Sequence, residues 1–158
     1  MVRIAPNGQD ISAMQRDVQV GYEAAASNSP YISGVVPVGA AWDRAMQTGV
    51  ADSNPYDDLM PGQLNLWAPD AYHASAYGYY LERLMLFGSI TGVDPLSLGV
   101  NEQAASDLGF TSAQTLALQR VARDQLAIAV PEPSSLVLLV SGMLGLIWVR
   151  RRTNLAMA

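Results

Sequence analysis

The sequence predicts an α/β fold that is mostly helical in this chain and is followed by one C-terminal transmembrane helix. Three observations support this class. Apolar residues recur at helical spacing in several segments of the 158-residue chain, one segment is typical of a buried parallel strand, and a long uncharged run precedes three arginines near the C-terminus. Half of the residues are apolar. This content supports one modest core and excludes wholesale disorder.

The first third of the chain predicts helix, strand and helix in that order. A helix is expected over Asp10–Ala26, with its cap at Asp10. Tyr31–Val38 (YISGVVPV) is rich in β-formers and predicts a buried strand with Pro37 at its end. Ala40–Thr48 predicts a short helix. Because one strand cannot make a sheet, we expect the remaining strands in a part of the protein that lies upstream.

The rest of the body predicts a loop and two further helices. Ala51–Ala68 is rich in turn residues and predicts a loop. A helix then begins at Ser75 or His73 and runs to Ile90. Thr111 caps the last helix of the body, which extends to Ala129.

Charge and composition exclude several kinds of function. Up to residue 130 the chain has thirteen acidic residues against six arginines, a net charge of −7, and this acidity argues against a nucleic-acid partner. The chain has no cysteine, which excludes disulfides, thiol nucleophiles and cysteine-ligated zinc. Asp52, Asp57 and Asp58 do not follow the spacing of a calcium loop, so we expect a solvated loop there and neither a metal nor a cofactor.

The one candidate for catalysis is Asp70-Ala-Tyr-His73, which contains the single histidine of the chain. An aspartate three residues before a histidine can hold the imidazole in one tautomer, while the histidine acts as a general base toward a hydroxyl nucleophile. The alternative is a loop aspartate followed by a surface or helix-capping histidine. Four tyrosines near the pair either line a sugar-binding cleft or pack in the core and its rim: Tyr72, Tyr77, Tyr79 and Tyr80.

The segment from Pro69 to Leu81 (PDAYHASAYGYYL) resembles the last conserved block of the SGNH, or GDSL-like, hydrolases. Val35–Gly39 with Trp42 and the segment Leu118–Ala122 are similar to neighbouring parts of that family. The resemblance spans about residues 10–129. It implies the C-terminal part of a three-layer α/β/α hydrolase that cleaves ester bonds, with Asp70 and His73 in the acid and base roles of a Ser-His-Asp triad.

The nucleophilic serine block and the oxyanion-hole residues of that family have no counterpart in this sequence. Ser53 follows an aspartate but lies downstream of the predicted strand, which is the wrong place for the nucleophile. We therefore expect no esterase activity from this chain by itself. The competing hypothesis is a non-enzymatic surface or extracellular-matrix protein.

The C-terminal run Leu136–Val149 (LVLLVSGMLGLIWV) is uncharged, apolar on all sides and followed at once by Arg150, Arg151 and Arg152. Trp148 lies at its edge, where interfacial aromatic residues are common. These features favour a short membrane helix, although fourteen residues are fewer than the about 17–25 of a usual span. The alternative is a buried C-terminal helix.

Val130–Arg152 resembles the PEP-CTERM sorting signal, because Pro131, Glu132 and Pro133 precede the apolar run and the basic cluster. The resemblance implies export, retention in the inner membrane, recognition by an exosortase and transfer to the cell surface or matrix.

The chain is thus expected to divide into three parts. A partial hydrolase domain covers residues 1–129, the sorting signal residues 130–152, and a tail residues 153–158. Within the signal, the motif covers residues 130–135 and the membrane helix residues 136–149. The N-terminus (MVRIAPNGQD) lacks a secretory signal, so we expect the reading frame to be incomplete.

Overall fold

A computed structural model of the chain describes residues 11–129, and these residues form a helical body. The elements are α1 (Ile11–Ser27), α2 (Val38–Gln47), α3 (Ala76–Thr91), a 3₁₀ turn (Pro95–Leu98), α4 (Gln103–Asp107) and α5 (Ser112–Ala129). Helices α3 and α5 make the most extensive contact, α2 packs on both, and α1 packs on α2. The long connection between α2 and α3 carries the Asp70–His73 segment.

The core lies between α3 and α5. On α3 the residues Leu81, Leu84 and Met85 are almost completely buried, at the spacing of one helix face. They pack with the buried residues of α5, which are Thr115, Leu118, Gln119, Val121 and Ala122. Each large apolar side chain buried in this way contributes about 1.5–3 kcal/mol to folding.

Local capping fixes the start of the two main helices. The Ser75 hydroxyl accepts hydrogen bonds from the backbone N–H groups of Tyr77 (3.2 Å) and Gly78 (3.3 Å) and so caps α3. Thr111 and Gln114 bond reciprocally at the start of α5, each side chain accepting from the other residue's backbone N–H. These caps are why the sequence places both helices within a residue or two of their observed bounds.

Helices α2 and α3 meet at Gly78, where there is no room for a side chain. A Cβ atom at this position would overlap the backbone oxygen of Leu66 and the ring of Trp42. Trp42 in turn packs edge-to-face on Trp67, with ring centroids 5.0 Å apart. One close approach therefore joins α2, α3 and the connection between them.

The predicted α/β class is wrong for the described residues. Between residues 11 and 129 the structure contains helices and two isolated β-bridges, Ala51 with Leu64 and Trp67 with Ala74, but no strand. The predicted strand Tyr31–Val38 is an irregular segment that leads into α2, which begins at Val38. The physical reason is that a strand needs a hydrogen-bonded neighbour, and none lies beside this segment in the described part of the chain.

The predicted transmembrane helix over residues 136–149 lies outside the described residues. Among the helices within residues 11–129, none combines the length and the hydropathy needed to cross a membrane. The transmembrane part of the predicted fold class therefore has no support from the structure.

The two buried glycines of α3 give a test of this packing. We expect Gly78→Ala to lower the free energy of unfolding by about 1–3 kcal/mol, because the new methyl group meets backbone and a fixed indole ring. In Gly88→Ala the new atom overlaps the end of the Leu126 side chain, which can turn away, and lies in ordinary contact with the ring of Pro95. The higher helix propensity of alanine offsets about 1 kcal/mol of the loss. Urea unfolding followed by circular dichroism measures both changes. Equal losses in the two variants would contradict the role given to Gly78.

Candidate active site

The segment that holds Asp70 and His73 is closed at its base by backbone hydrogen bonds. The N–H of Ala68 donates to the carbonyl of His73 (2.8 Å), and the N–H of Ser75 donates to the carbonyl of Leu66 (2.8 Å). Ser75 also anchors the base through its hydroxyl, which donates to the carbonyl of Asn65 (2.6 Å). The loop is therefore fixed to the start of α3, although its tip lies in solvent.

The tip of the loop contains a strained residue. Ala71 has φ 53°, in the left-handed region that residues other than glycine rarely adopt. Its N–H donates to the carbonyl of Ala68 (2.9 Å), which closes a tight turn. Strain of this kind persists where the surroundings determine the backbone, and it often lies at functional sites. The turn at Ala71 brings the side chains on either side of it together.

Asp70 and His73 form a direct side-chain contact, as their spacing suggests. The Oδ2 atom of Asp70 lies 2.7 Å from Nδ1 of His73. The other carboxylate oxygen, Oδ1, accepts from the backbone N–H groups of Tyr72 (3.0 Å) and His73 (2.9 Å). Since a carboxylate can only accept, the proton of a neutral imidazole lies on Nδ1, and Nε2 presents its lone pair.

The hydrogen bonds to Asp70 keep it ionised. They lower the pKa of Asp70 from its ordinary 3.8 to about 2, chiefly through the bond from the His73 ring and then through the two backbone N–H groups. Asp70 is therefore an anion at neutral pH and can stabilise a positive charge on the imidazole.

The pair is open to solvent. The side chain of His73 is 63% exposed and that of Asp70 is 51% exposed. The ring of Tyr72 packs edge-to-face on the imidazole, with centroids 5.0 Å apart. Within the described residues, Asp70 is the only side chain that hydrogen-bonds to the imidazole. Ser75, the serine nearest in sequence, is instead occupied at the base of the loop and at the cap of α3.

The tyrosines around the pair do not share one surface. Tyr77 stacks on Phe110 at 4.3 Å, and Tyr80 meets the same ring edge-to-face at 5.5 Å. Tyr80 is almost completely buried and Tyr79 is 43% exposed. These contacts favour packing, rather than a sugar-binding cleft, as the role of Tyr77 and Tyr80. Of the four tyrosines, Tyr72 is the one whose ring contacts the imidazole.

The acidic loop binds its own backbone. Asp52 is buried, and its carboxylate accepts from the N–H groups of Asn54 (2.9 Å) and Met60 (2.7 Å). Asp57 accepts from the side-chain amide of Asn54 (2.6 Å). No group of three or more metal-ligating side chains is found in the part of the chain that the structure describes. The predicted sorting residues, Pro131 to Pro133 and Arg150 to Arg152, lie outside that part.

Sequence reasoning missed an apolar groove between α1 and the segment that precedes α2. Val18 (52% exposed) and Tyr22 (63% exposed) of α1 lie at this groove, beside Ile32 (47% exposed). The signal was present in the sequence, because the helix pattern of α1 and the β-forming run at residues 31–38 are both apolar. Because residues 31–38 were predicted to be a buried strand, the surface that they form was not predicted.

Comparison with known families identifies one part of the chain. Residues 129–152 match the PEP-CTERM protein-sorting motif. No match was found among curated proteins or among solved structures. The matched stretch contains the predicted tripeptide, apolar run and basic cluster. It supports a PEP-CTERM sorting signal, which implies export, recognition by an exosortase and sorting to the cell surface.

The Asp70 carboxylate gives a test of the pair by titration. In the wild-type chain we expect the Asp70 carboxyl carbon to titrate in NMR spectra with a midpoint at about 2. His73→Ala removes the largest cause of the shift, so the midpoint rises toward 3.8 but stays below it because two backbone N–H groups remain.

The sign of the pH dependence of stability follows from this lowered pKa. The contribution of ionised Asp70 to folding is complete above its ordinary pKa and is lost as the pH falls from 3.8 toward 2. The resonance of the Asp70 carboxyl carbon is assigned as the one that is missing from the spectrum of Asp70→Asn. An unchanged midpoint in His73→Ala would show that the side-chain contact does not form in solution.

Proposed function

We propose that the body of this exported chain supplies the Asp-His pair of a serine-type hydrolase that cleaves ester bonds at the cell surface, such as the acetyl esters of carbohydrates. The observation that carries the proposal is the 2.7 Å contact between Asp70 Oδ2 and His73 Nδ1. This contact leaves Nε2 available at a solvent-exposed position, as a general base requires.

In the proposed reaction, Nε2 of His73 takes the proton of a serine hydroxyl while the serine oxygen attacks the ester carbonyl. The imidazolium then gives this proton to the departing alcohol, and an acyl-serine remains. Water, activated by the same nitrogen, hydrolyses the acyl-serine and releases the acid. Asp70 accepts the Nδ1–H bond throughout and stabilises the imidazolium.

The proposal requires a serine from outside the described residues. Within residues 11–129, no hydroxyl group bonds to the imidazole, and Ser75 is held at the cap of α3. This observation also favours a second candidate function. In that alternative the body is a non-enzymatic surface or matrix protein, and Asp70 serves only to close its loop.

The sorting signal determines where either function takes place. We propose that the exosortase reads Pro131-Glu132-Pro133 and cleaves beside it, which releases the body to the surface or the extracellular matrix. The Pro-Glu-Pro sequence disfavours a helix at the tripeptide, since a residue before proline is biased away from helical backbone.

The sorting proposal can be tested in a host that produces an exosortase. We expect Glu132→Ala to abolish release and to leave a longer, uncleaved form in the membrane fraction. Immunoblots of cell fractions with an antibody against the body measure both forms. Ser134→Ala, just outside the tripeptide, is the matched control and should be released normally. Normal release of Glu132→Ala would contradict recognition through the tripeptide.

The hydrolase proposal can be tested with a fluorophosphonate probe, which reacts with activated serines. We expect the surface fraction of the native host to contain labelled protein that an antibody against the described body captures. His73→Ala or Asp70→Asn should slow this labelling by ~10²–10⁴-fold, the usual contribution of a general base and its support.

The control for this experiment is Asp57→Asn, which changes an exposed carboxylate away from the imidazole and should label normally. If the captured wild-type protein carries no label, the hydrolase proposal is wrong and the non-enzymatic surface protein stands. Equal labelling of wild type and His73→Ala would also contradict it.

A further inference from the structure

Tyr72 is the aromatic residue that contacts the proposed general base. Its ring lies nearly perpendicular to the imidazole of His73, at an interplanar angle of 87° and a centroid separation of 5.0 Å. The carboxylate of Asp70 that orients the imidazole also accepts from the backbone N–H of Tyr72 (3.0 Å). Tyr72 is 79% exposed. Since an edge-to-face contact covers at most one face of a ring, at least one face of the Tyr72 ring is open to solvent beside the imidazole.

An open aromatic face in this position suits a ligand with a flat side of C–H groups. The face of a phenol ring carries the negative part of its quadrupole and attracts C–H groups, which are slightly positive. A pyranose ring presents several C–H groups on one face and carries hydroxyl or ester groups around its rim. Because the Tyr72 and His73 rings are 5.0 Å apart, a sugar that stacks on Tyr72 has its rim next to the imidazole.

The surroundings of the Asp70–His73 pair favour a short acyl group over a long one. None of the residues from Asp70 to His73 lines the apolar groove, and both side chains of the pair are more than half exposed. A long acyl chain therefore gains no burial at the pair itself. The alcohol side of the ester is then the part of the substrate that the site can recognise, and Tyr72 is the aromatic surface available for it.

The charge of the pair favours an uncharged sugar. Asp70 is ionised at neutral pH, since its hydrogen bonds lower its pKa to about 2. In the described part of the chain, no arginine forms an ion pair with Asp70. A uronic acid stacked on Tyr72 would bring a second carboxylate close to that of Asp70, and the two like charges would repel each other.

We propose that the open face of the Tyr72 ring binds an uncharged pyranose ring of the substrate, and that Tyr72 thereby selects esters of neutral carbohydrates. This role of Tyr72 rests on the hydrolase function proposed above and adds the group that recognises the alcohol side of the ester. Tyr72 is a specificity-determining residue, whereas Asp70 and His73 act on the bond that is cleaved.

The experiment compares three acetyl esters, with the protein captured by antibody from the surface fraction of the native host. β-Glucose pentaacetate offers a neutral pyranose ring, the tetraacetate of β-glucuronic acid offers the same ring with a carboxylate, and ethyl acetate has no ring. Acetate release gives kcat/KM for each ester. The informative quantity is the ratio of kcat/KM for glucose pentaacetate to that for ethyl acetate, because a disturbed imidazole lowers both values alike.

We expect Tyr72→Ala to lower this ratio about three- to tenfold, mainly through a higher KM for the sugar ester, which is the effect of one aromatic contact. Tyr72→Phe keeps the ring face and should keep the ratio. Tyr31→Ala is the matched control, because Tyr31 is 95% exposed and makes no ring contact with the imidazole among the described residues. In the wild-type protein the uronate should react about threefold more slowly than glucose pentaacetate at low ionic strength.

Different outcomes contradict the sugar site and the hydrolase function. Acetate release that His73→Ala does not lower for any ester would contradict the hydrolase function and, with it, the role of Tyr72. Release that depends on His73, with an unchanged ratio in Tyr72→Ala, would keep the hydrolase and overturn the sugar site. Equal losses in Tyr72→Ala and Tyr72→Phe would assign the effect to the phenol hydroxyl and also overturn stacking. A uronate that reacts as fast as the neutral ester would overturn the selection of uncharged sugars.

Discussion

The close approach at Gly78 determines the arrangement of the described body. Because Gly78 has no side chain, the backbone carbonyl of Leu66 and the ring of Trp42 both lie against the first turn of α3. That contact fixes the connection from residue 64 to residue 75 on the end of the helix, where Ser75 caps it. The loop with Asp70 and His73 begins and ends on this anchored connection. Its geometry is thus set by packing beneath it, and not by burial of the pair itself.

This support explains how an exposed loop can keep one conformation. The base is tied by two backbone hydrogen bonds and by the Ser75 hydroxyl, and the tip contains Ala71 in left-handed backbone. Strain at Ala71 is tolerated because the ends of the loop cannot separate. The turn at Ala71 aligns the carboxylate of Asp70 with three donors, which are two backbone N–H groups and the imidazole N–H. The pair is consequently formed within the loop itself, without another part of the chain.

What the sequence predicted well depends on contacts that are close along the chain. Ser75 and Thr111 mark the starts of α3 and α5 because capping involves residues two or three positions away. The contact of Asp70 with His73 follows from a separation of three residues across a turn. Tyr31–Val38 shows the opposite case, since β-propensity does not make a strand without a neighbour to pair with. The close contact of Gly78 with a carbonyl and an indole ring was not predictable, because it joins residues from two helices and the connection between them.

The exposure of the Asp70–His73 pair limits the strength of its interaction. A pair that is 63% and 51% exposed acts in water, where the interaction between Asp70 and an imidazolium is strongly screened. The general-base role proposed for His73 therefore requires a cover that lowers the local dielectric constant. Trp67 lines the groove, and the N–H of the next residue, Ala68, donates to the backbone carbonyl of His73 at the base of the loop. The packing of Trp67 and the position of the loop base therefore depend on the same stretch of backbone.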